Sequence, residues 1–182
     1  DGQTRVTVRI DDPNRERELD KNLAEWVASP ASLLFFRHVR ELEVNGVRIT
    51  RAVLGPGPVA NTQRVRLSTL PDRELLVARS PDEPFPAECL AEVRQERGDP
   101  GLDLPACQVE IVLGLPAPNR VYVVLPTGVK LDLPFSCNGP FLQDPARMLV
   151  KDPATSPTNR WLLDRAGRLA AETLLAWVGD RR

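Results

Sequence analysis

The chain changes its hydrophobic period once, and that change limits what it can fold into. Before Leu133, apolar residues recur at every second position in several short segments, the period of half-buried strands. After Thr158 they recur at every third and fourth position, the period of an amphipathic helix. A run of strands followed by a long helix predicts an α+β fold: a mostly antiparallel sheet of five to seven strands with helices packed on one face. With 182 residues, 42% hydrophobic and 27% charged, a single domain spanning 1–182 can build a sizeable core.

The segments follow in order. Thr4 to Ile10 alternates, with Val6, Val8 and Ile10 on one side, and predicts a half-buried strand. After the turn at Asp11-Asp12-Pro13-Asn14, a helix is expected over 15–28, with Leu19, Leu23, Trp26 and Val27 on one face. A short, apolar and therefore buried helix follows over 30–36. Asn45-Gly46 between 39–44 and 47–51 is a type I′ hairpin signal. Gly55-Pro56-Gly57-Pro58 reads as a loop, and strands are expected over 63–70 and 73–80. A helix over 86–97 stops at Gly98. Cys107 to Leu115 and Arg120 to Leu125 form a second expected hairpin, with a further apolar strip over 129–133. In Phe135-Ser136-Cys137-Asn138-Gly139-Pro140, the Asn-Gly-Pro sequence argues against a regular element. Asp144-Pro145-Ala146-Arg147 reads as a helix start, with Asp144 as N-cap and Arg147 in the first turn. The last helix, over 158–178, is capped by Ser156 or Thr158. It turns Trp161, Leu162, Ala166, Leu169, Ala170, Thr173, Leu174 and Trp177 to the core, and Asp164, Arg165, Arg168 and Glu172 outward.

The chemistry is sparse. A net charge of −1 gives no field for nucleic acid or an anionic membrane, and no apolar run reaches the ~20 residues of a membrane span. Cys89, Cys107 and Cys137 do not make a disulfide framework, and a lone His38 does not build a metal cluster. Thiols buried in a reducing cytoplasm are the expected state. Arg40, Arg48, Arg51, Arg64 and Arg66 are interleaved with Glu41, Glu43, Asp72 and Glu74, as on a solvated sheet face. Glu88, Glu92 and Glu96 form an i, i+4 row that also reads as solvated. The phosphate-binding glycine loops and the nucleophile elbow are missing from the sequence. The 182 residues by themselves are therefore expected neither to bind nor to hydrolyse ATP.

One stretch carries a resemblance. Leu125-Pro126-Thr127, Leu133-Pro134-Phe135, Asn138, Phe141, Arg147 and Asn159-Arg160-Trp161-Leu162 occur in the order found in sacsin-type proteins, relatives of the ninety-kilodalton heat-shock chaperones. The chain resembles the middle, transducer-like domain that follows the ATPase domain there. Gly2-Gln3-Thr4 loosely matches the junction, so the chain is expected to be a fragment lying C-terminal to an ATPase domain. The resemblance implies a preceding (GHKL-type) ATPase domain as partner, with ATP and magnesium bound by that domain and no cofactor in these residues. It implies that Arg147 reaches the γ-phosphate, although Pro145-Ala146 replaces the small hydroxyl residues usual before that arginine. Asn138, Phe141 and Asp144 are expected to shape the loop. The alternatives are a nucleotide-independent interaction module and, less favoured by the residues, a self-contained enzyme.

Overall fold

The structure, a computed structural model, describes residues 6–28 and 31–179. It is α+β, with eight strands in one sheet ordered β1-β2-β3-β4-β5-β8-β6-β7. Helix α1 spans Pro13–Ala28 and α2 Ser32–Phe35. Strands β1 (Glu41–Val44), β2 (Val47–Pro56), β3 (Thr62–Leu67) and β4 (Leu75–Arg79) follow as an antiparallel meander. Helix α3 (Ala87–Arg97) precedes β5 (Glu110–Leu113), β6 (Asn119–Val123), β7 (Leu125–Leu131) and β8 (Phe135–Asn138), and α4 (Pro157–Gly179) ends the chain. Among the described residues no helix is long and apolar enough to cross a membrane.

The meander forms where its turn chemistry demands. Asn45 (φ 49°) and Gly46 (φ 77°) supply the two positive φ values of the β1–β2 turn. The Gly55-Pro56 loop is instead the end of β2, which passes through a bulge between Val53 and Gly55 and stays paired with β3 to Pro56. In β4 both faces are buried. Leu76 and Ala78 join a core beneath α4, while Leu75 and Val77 join a second core against α2 on the opposite face. Leu33, Leu34 and Phe35 fill that second core, and the Phe35 ring lies 5.0 Å from Tyr122. Thus α4 lies along one face with α3 packed beside it, and the short apolar helix closes the other.

Several expectations about strands change, and the sheet has eight strands where five to seven were expected. Residues 6–10 form no strand, and Val6 and Val8 are 81% and 75% exposed; an alternating segment needs a neighbour to pair with, and none of the described strands provides one. Thr4 lies outside the described residues. β5 and β6 do not form a hairpin. β6 turns at once into β7, through Val124 at φ 63°, so Pro126-Thr127-Gly128 lies within β7 and breaks nothing. The Phe135–Asn138 segment, set aside for its Asn-Gly-Pro ending, is β8, a central strand. It pairs antiparallel with β5 (Ile111 opposite Cys137) and parallel with β6 (Val121 opposite Cys137). Its Phe135 and Cys137 meet the α4 core, and burial pushes the Cys137 thiol up to about 12. Ser136 donates to Asn119 Oδ1 (3.0 Å) and accepts from Arg120 N (3.1 Å), which satisfies the polar side of the strand.

Helix α4 begins one residue before its expected start and is held by two charges the sequence placed in solvent, Glu92 on α3 and its own Arg165. Ser156 Oγ accepts from Asn159 N (3.2 Å), as an N-cap does, and Pro157 occupies the first helical position. Glu92 of α3 reaches across: its Oε2 accepts from Thr158 N (2.9 Å) and from Ser156 Oγ (3.1 Å). Burial opposes the charge, but the bonds from Thr158 and Ser156 hold the Glu92 carboxyl below the usual range. Arg165, expected outward, is 3% exposed. Its Nη2 donates to Ser80 Oγ (2.9 Å) and Pro81 O (2.8 Å), and its Nη1 to Cys107 O (3.1 Å). Its Nε lies 3.5 Å from Glu83, and its guanidinium sits 4.7 Å over the half-buried Trp161 ring.

Because its folded pKa is depressed, Glu92 contributes stability that is present above the ordinary glutamate value and lost as pH falls through the lower folded value. Glu92→Gln should therefore cost about 1 kcal/mol at pH 7, the worth of a charged helix cap. In urea denaturation across pH, the gap from the parent should close in acid; a pH-independent gap would contradict the cap.

Candidate functional site

The four residues singled out from the sequence come together. Asn138, Phe141, Asp144 and Arg147 all line one cleft of about 1100 Å³ at the end of the sheet where β8 finishes. The cleft wraps from the α2 face, past the ends of β4 and β5, to α3 and the loop after β8. Phe141 is 4% exposed and packs into the α4 core, with its ring 3.2 Å from where a Cβ on Gly139 would stand. A side chain there would press on the Phe141 ring and on Val109, so glycine suits the close approach.

Asp144 and Arg147 do not start a helix. Asp144 O accepts from Arg147 N (2.8 Å), and Asp144 Oδ1 accepts from Met148 N and Leu149 N, each at 2.8 Å. The carboxylate thus closes a loop rather than capping a first turn, and Arg147 leaves it in the left-handed region at φ 56°. An isolated bridge between Gln143 and Val150 seals the base of the loop, and Gln143 Nε2 donates to Arg147 O (3.1 Å). The sequence leaves little room for a helix here. Pro153 disfavours helical backbone at Asp152, so fewer than ten residues remain after Asp144, too few to repay nucleation.

The loop is fastened on two sides. Gly128 N of β7 donates to Met148 O (2.6 Å), and a Cβ on Gly128 would lie 3.1 Å from that oxygen. On the other side Asn159, fully buried, holds both arms. Its Oδ1 accepts from Leu142 N (2.8 Å), and its Nδ2 donates to Leu142 O and Lys151 O, each at 2.9 Å. The Arg147 side chain is exposed and, among the described residues, makes no ion pair. The two aspartates nearest to it in sequence, Asp144 and Asp152, are engaged elsewhere. Asp144 holds the loop, and Asp152 Oδ1 accepts from Ala154 N (2.8 Å).

Asn138 does more than shape the loop. Its Oδ1 accepts from Val124 N (2.8 Å), which fixes the positive-φ turn between β6 and β7. Its Nδ2 donates to Glu110 Oε2 (2.8 Å), and Glu110 Oε1 accepts from Arg79 Nε (2.8 Å). Beside this chain lies Arg51, whose Nη1 donates to Leu33 O (3.3 Å), Leu34 O (3.2 Å) and Phe36 O (3.4 Å). Burial, then the neighbouring charges of Arg79 and Arg40, push the Arg51 pKa down. Of the arginines read as a solvated face, Arg48 pairs with Glu41 (2.6 Å) and Arg64 with Glu74 (3.6 Å), whereas Arg51 turns into the cleft. Arg79 and Glu110 were missed, and Asn159 was noticed only as part of the Asn159-Arg160-Trp161-Leu162 run and given no role, because each looks like an ordinary strand or helix residue in sequence. Their roles depend on which strands become neighbours.

Asn159 gives a sharp test. Asn159→Ala leaves buried partners unpaired and should cost about 2–4 kcal/mol. Asn159→Asp should cost more, because a carboxylate would face the carbonyls of Leu142 and Lys151. Urea denaturation gives the order, and amide exchange at Leu142 should quicken in both; an Asp variant as stable as the parent would contradict the clasp.

Compared with protein-family models, with curated proteins and with solved structures, the chain finds no match.

Proposed function

We propose that this chain is the middle domain of a chaperone-like ATPase of the sacsin and heat-shock type, and that Arg147 is the residue it contributes to phosphoryl transfer. The observation that carries the proposal is the presentation of Arg147. Its loop is fastened to β7 through Gly128 and to α4 through Asn159, while its guanidinium is exposed with no ion pair among the described residues. A guanidinium held out on a fixed loop offers always-charged, two-pronged contact to phosphate oxygens at little ordering cost. Supplied to a phosphate bound by a neighbouring domain, such a group raises the rate of transfer by about 10³-fold or more.

ATP and magnesium belong, in this proposal, to the preceding domain. The residues described here supply the arginine, its support, and a surface for that domain to rest on. Val124 (37%), Leu125 (46%), Met148 (63%) and Leu149 (49%) are exposed apolar residues of the β6–β7 turn and of the Arg147 loop. Apolar side chains next to a functional charge suit a docking partner that excludes water around it. The same side chains also favour the second reading, a module that binds a protein client without nucleotide. In both readings the protein works in the cytoplasm, where its three free thiols stay reduced.

The deciding measurement is ATP turnover and ATP affinity, taken separately, in the protein that joins this domain to its nucleotide-binding domain. Arg147→Ala should lower turnover about 10³-fold with affinity kept, while these 182 residues alone hydrolyse no ATP. Unchanged turnover in an active parent would end the phosphoryl-transfer reading and leave the interaction module.

A further inference from the structure

The floor of the cleft holds a second arrangement of charge, away from the Arg147 loop. Arg51 and Arg79 both line it. Each is held in place by only part of its guanidinium: Arg51 by Nη1 on three carbonyls, Arg79 by Nε on Glu110. Among the described residues, Arg51 Nε and Nη2 and Arg79 Nη1 and Nη2 make no hydrogen bond. One carboxylate, Glu110, lies against these two guanidiniums: it pairs with Arg79 alone, and its other oxygen is taken by Asn138, while Arg51 rests on neutral carbonyls. The pair carries one uncompensated positive charge and four free donor nitrogens in a recess.

We propose that Arg51 and Arg79 form a binding site for the phosphate of a small phosphomonoester, whose organic body lies against Phe36 and Val124 in the same cleft. A phosphate near neutral pH carries close to two charges and three acceptor oxygens, enough to engage both guanidiniums at once. A carboxylate has two oxygens and one charge, and satisfies one fork only. The guanidiniums are preorganised, since the carbonyls after α2 fix one and Glu110 fixes the other, so little side-chain entropy is lost on binding. Burial and the like charge of Arg79 weigh on Arg51 in the free protein, and an incoming dianion relieves that cost. The cleft, about 1100 Å³, has room for a small organic molecule beyond its phosphate. The site needs no second domain and stands whether or not Arg147 reaches a nucleotide.

The test is calorimetric titration of the 182-residue chain at low ionic strength with phenyl phosphate, inorganic phosphate and benzoate. Phenyl phosphate should saturate and bind more tightly than inorganic phosphate, and benzoate should bind about tenfold more weakly or less. Arg79→Gln should weaken phenyl phosphate by about tenfold or more, while Glu110→Gln, which keeps an acceptor oxygen for Arg79 Nε and removes only the competing charge, should tighten it. Arg168→Gln, the same charge change at an exposed position on α4, should leave it unchanged. If Arg79→Gln does not fold, Arg79→Lys keeps the charge beside Glu110, loses the fork and should still weaken binding. The proposal is overturned by no saturation below roughly 10 mM, an affinity that loss or mass action would not hide. It is equally overturned by benzoate matching phenyl phosphate, by Arg168→Gln matching Arg79→Gln, or by Glu110→Gln weakening the complex.

Discussion

One side-chain amide governs how the chain's functional end is built. Asn159 is fully buried, and its three hydrogen bonds all go to the backbone of the two arms that carry the Arg147 loop. A carboxamide offers an acceptor on one side and two donors on the other, which is the pattern that Leu142 N, Leu142 O and Lys151 O require. The amide sits in the first turn of α4, so its position is inherited from that helix. The helix is in turn placed by Glu92 at its start and Arg165 in its middle. Loop, helix and sheet edge are thus one connected set of polar contacts inside an otherwise apolar layer.

That set shows why hydrophobic period located the layers while leaving the site half seen. The two periods separated sheet from helix, and Asn45-Gly46, Gly98 and Ser156 marked their turns and caps where the backbone needed them. Each of those signals is local. β8 was invisible to the same logic, because four residues ending in Asn-Gly-Pro do not show a period, and its two partners lie elsewhere in the chain. Arg165 was misplaced for a different reason. Three positions after Leu162 and four before Leu169, it lies on the buried stripe; its charge outweighed its spacing in the reading. Glu92 was put in a solvated row because the N-terminus it caps belongs to a helix more than sixty residues later.

Of the candidate residues, Phe141 and Asp144 shape the loop as their chemistry suggested, though Asp144 closes a turn instead of opening a helix. Asn138 was legible as important and not in what it does: it stabilises a valine in a conformation that β-branched residues avoid, and it orients Glu110. The arginines on the cleft floor had no sequence signature at all. Alternation in β2 and β4 turns Arg51 and Arg79 to one face, yet only the pairing of β3 between those strands and the carbonyls after α2 bring them to a common recess.

The insertion of β8 between β5 and β6 also sets the order in which the sheet can be completed. Strands β1 to β5 form one ribbon and β6 with β7 another, and neither ribbon touches the other until residues 135–138 arrive. The strand pairs that join them reach from β8 back to β6 and to β5 across the intervening hairpin, so closure carries a loop-entropy cost of its own, as the β4–β5 pairing does within the first ribbon. Until then two unpaired strand edges, at β5 and β6, face solvent together, each a template for pairing with another chain. A ribosome-bound chain that has emerged only as far as β7 would hold both edges open, and the sheet's integrity rests on a central strand of four residues.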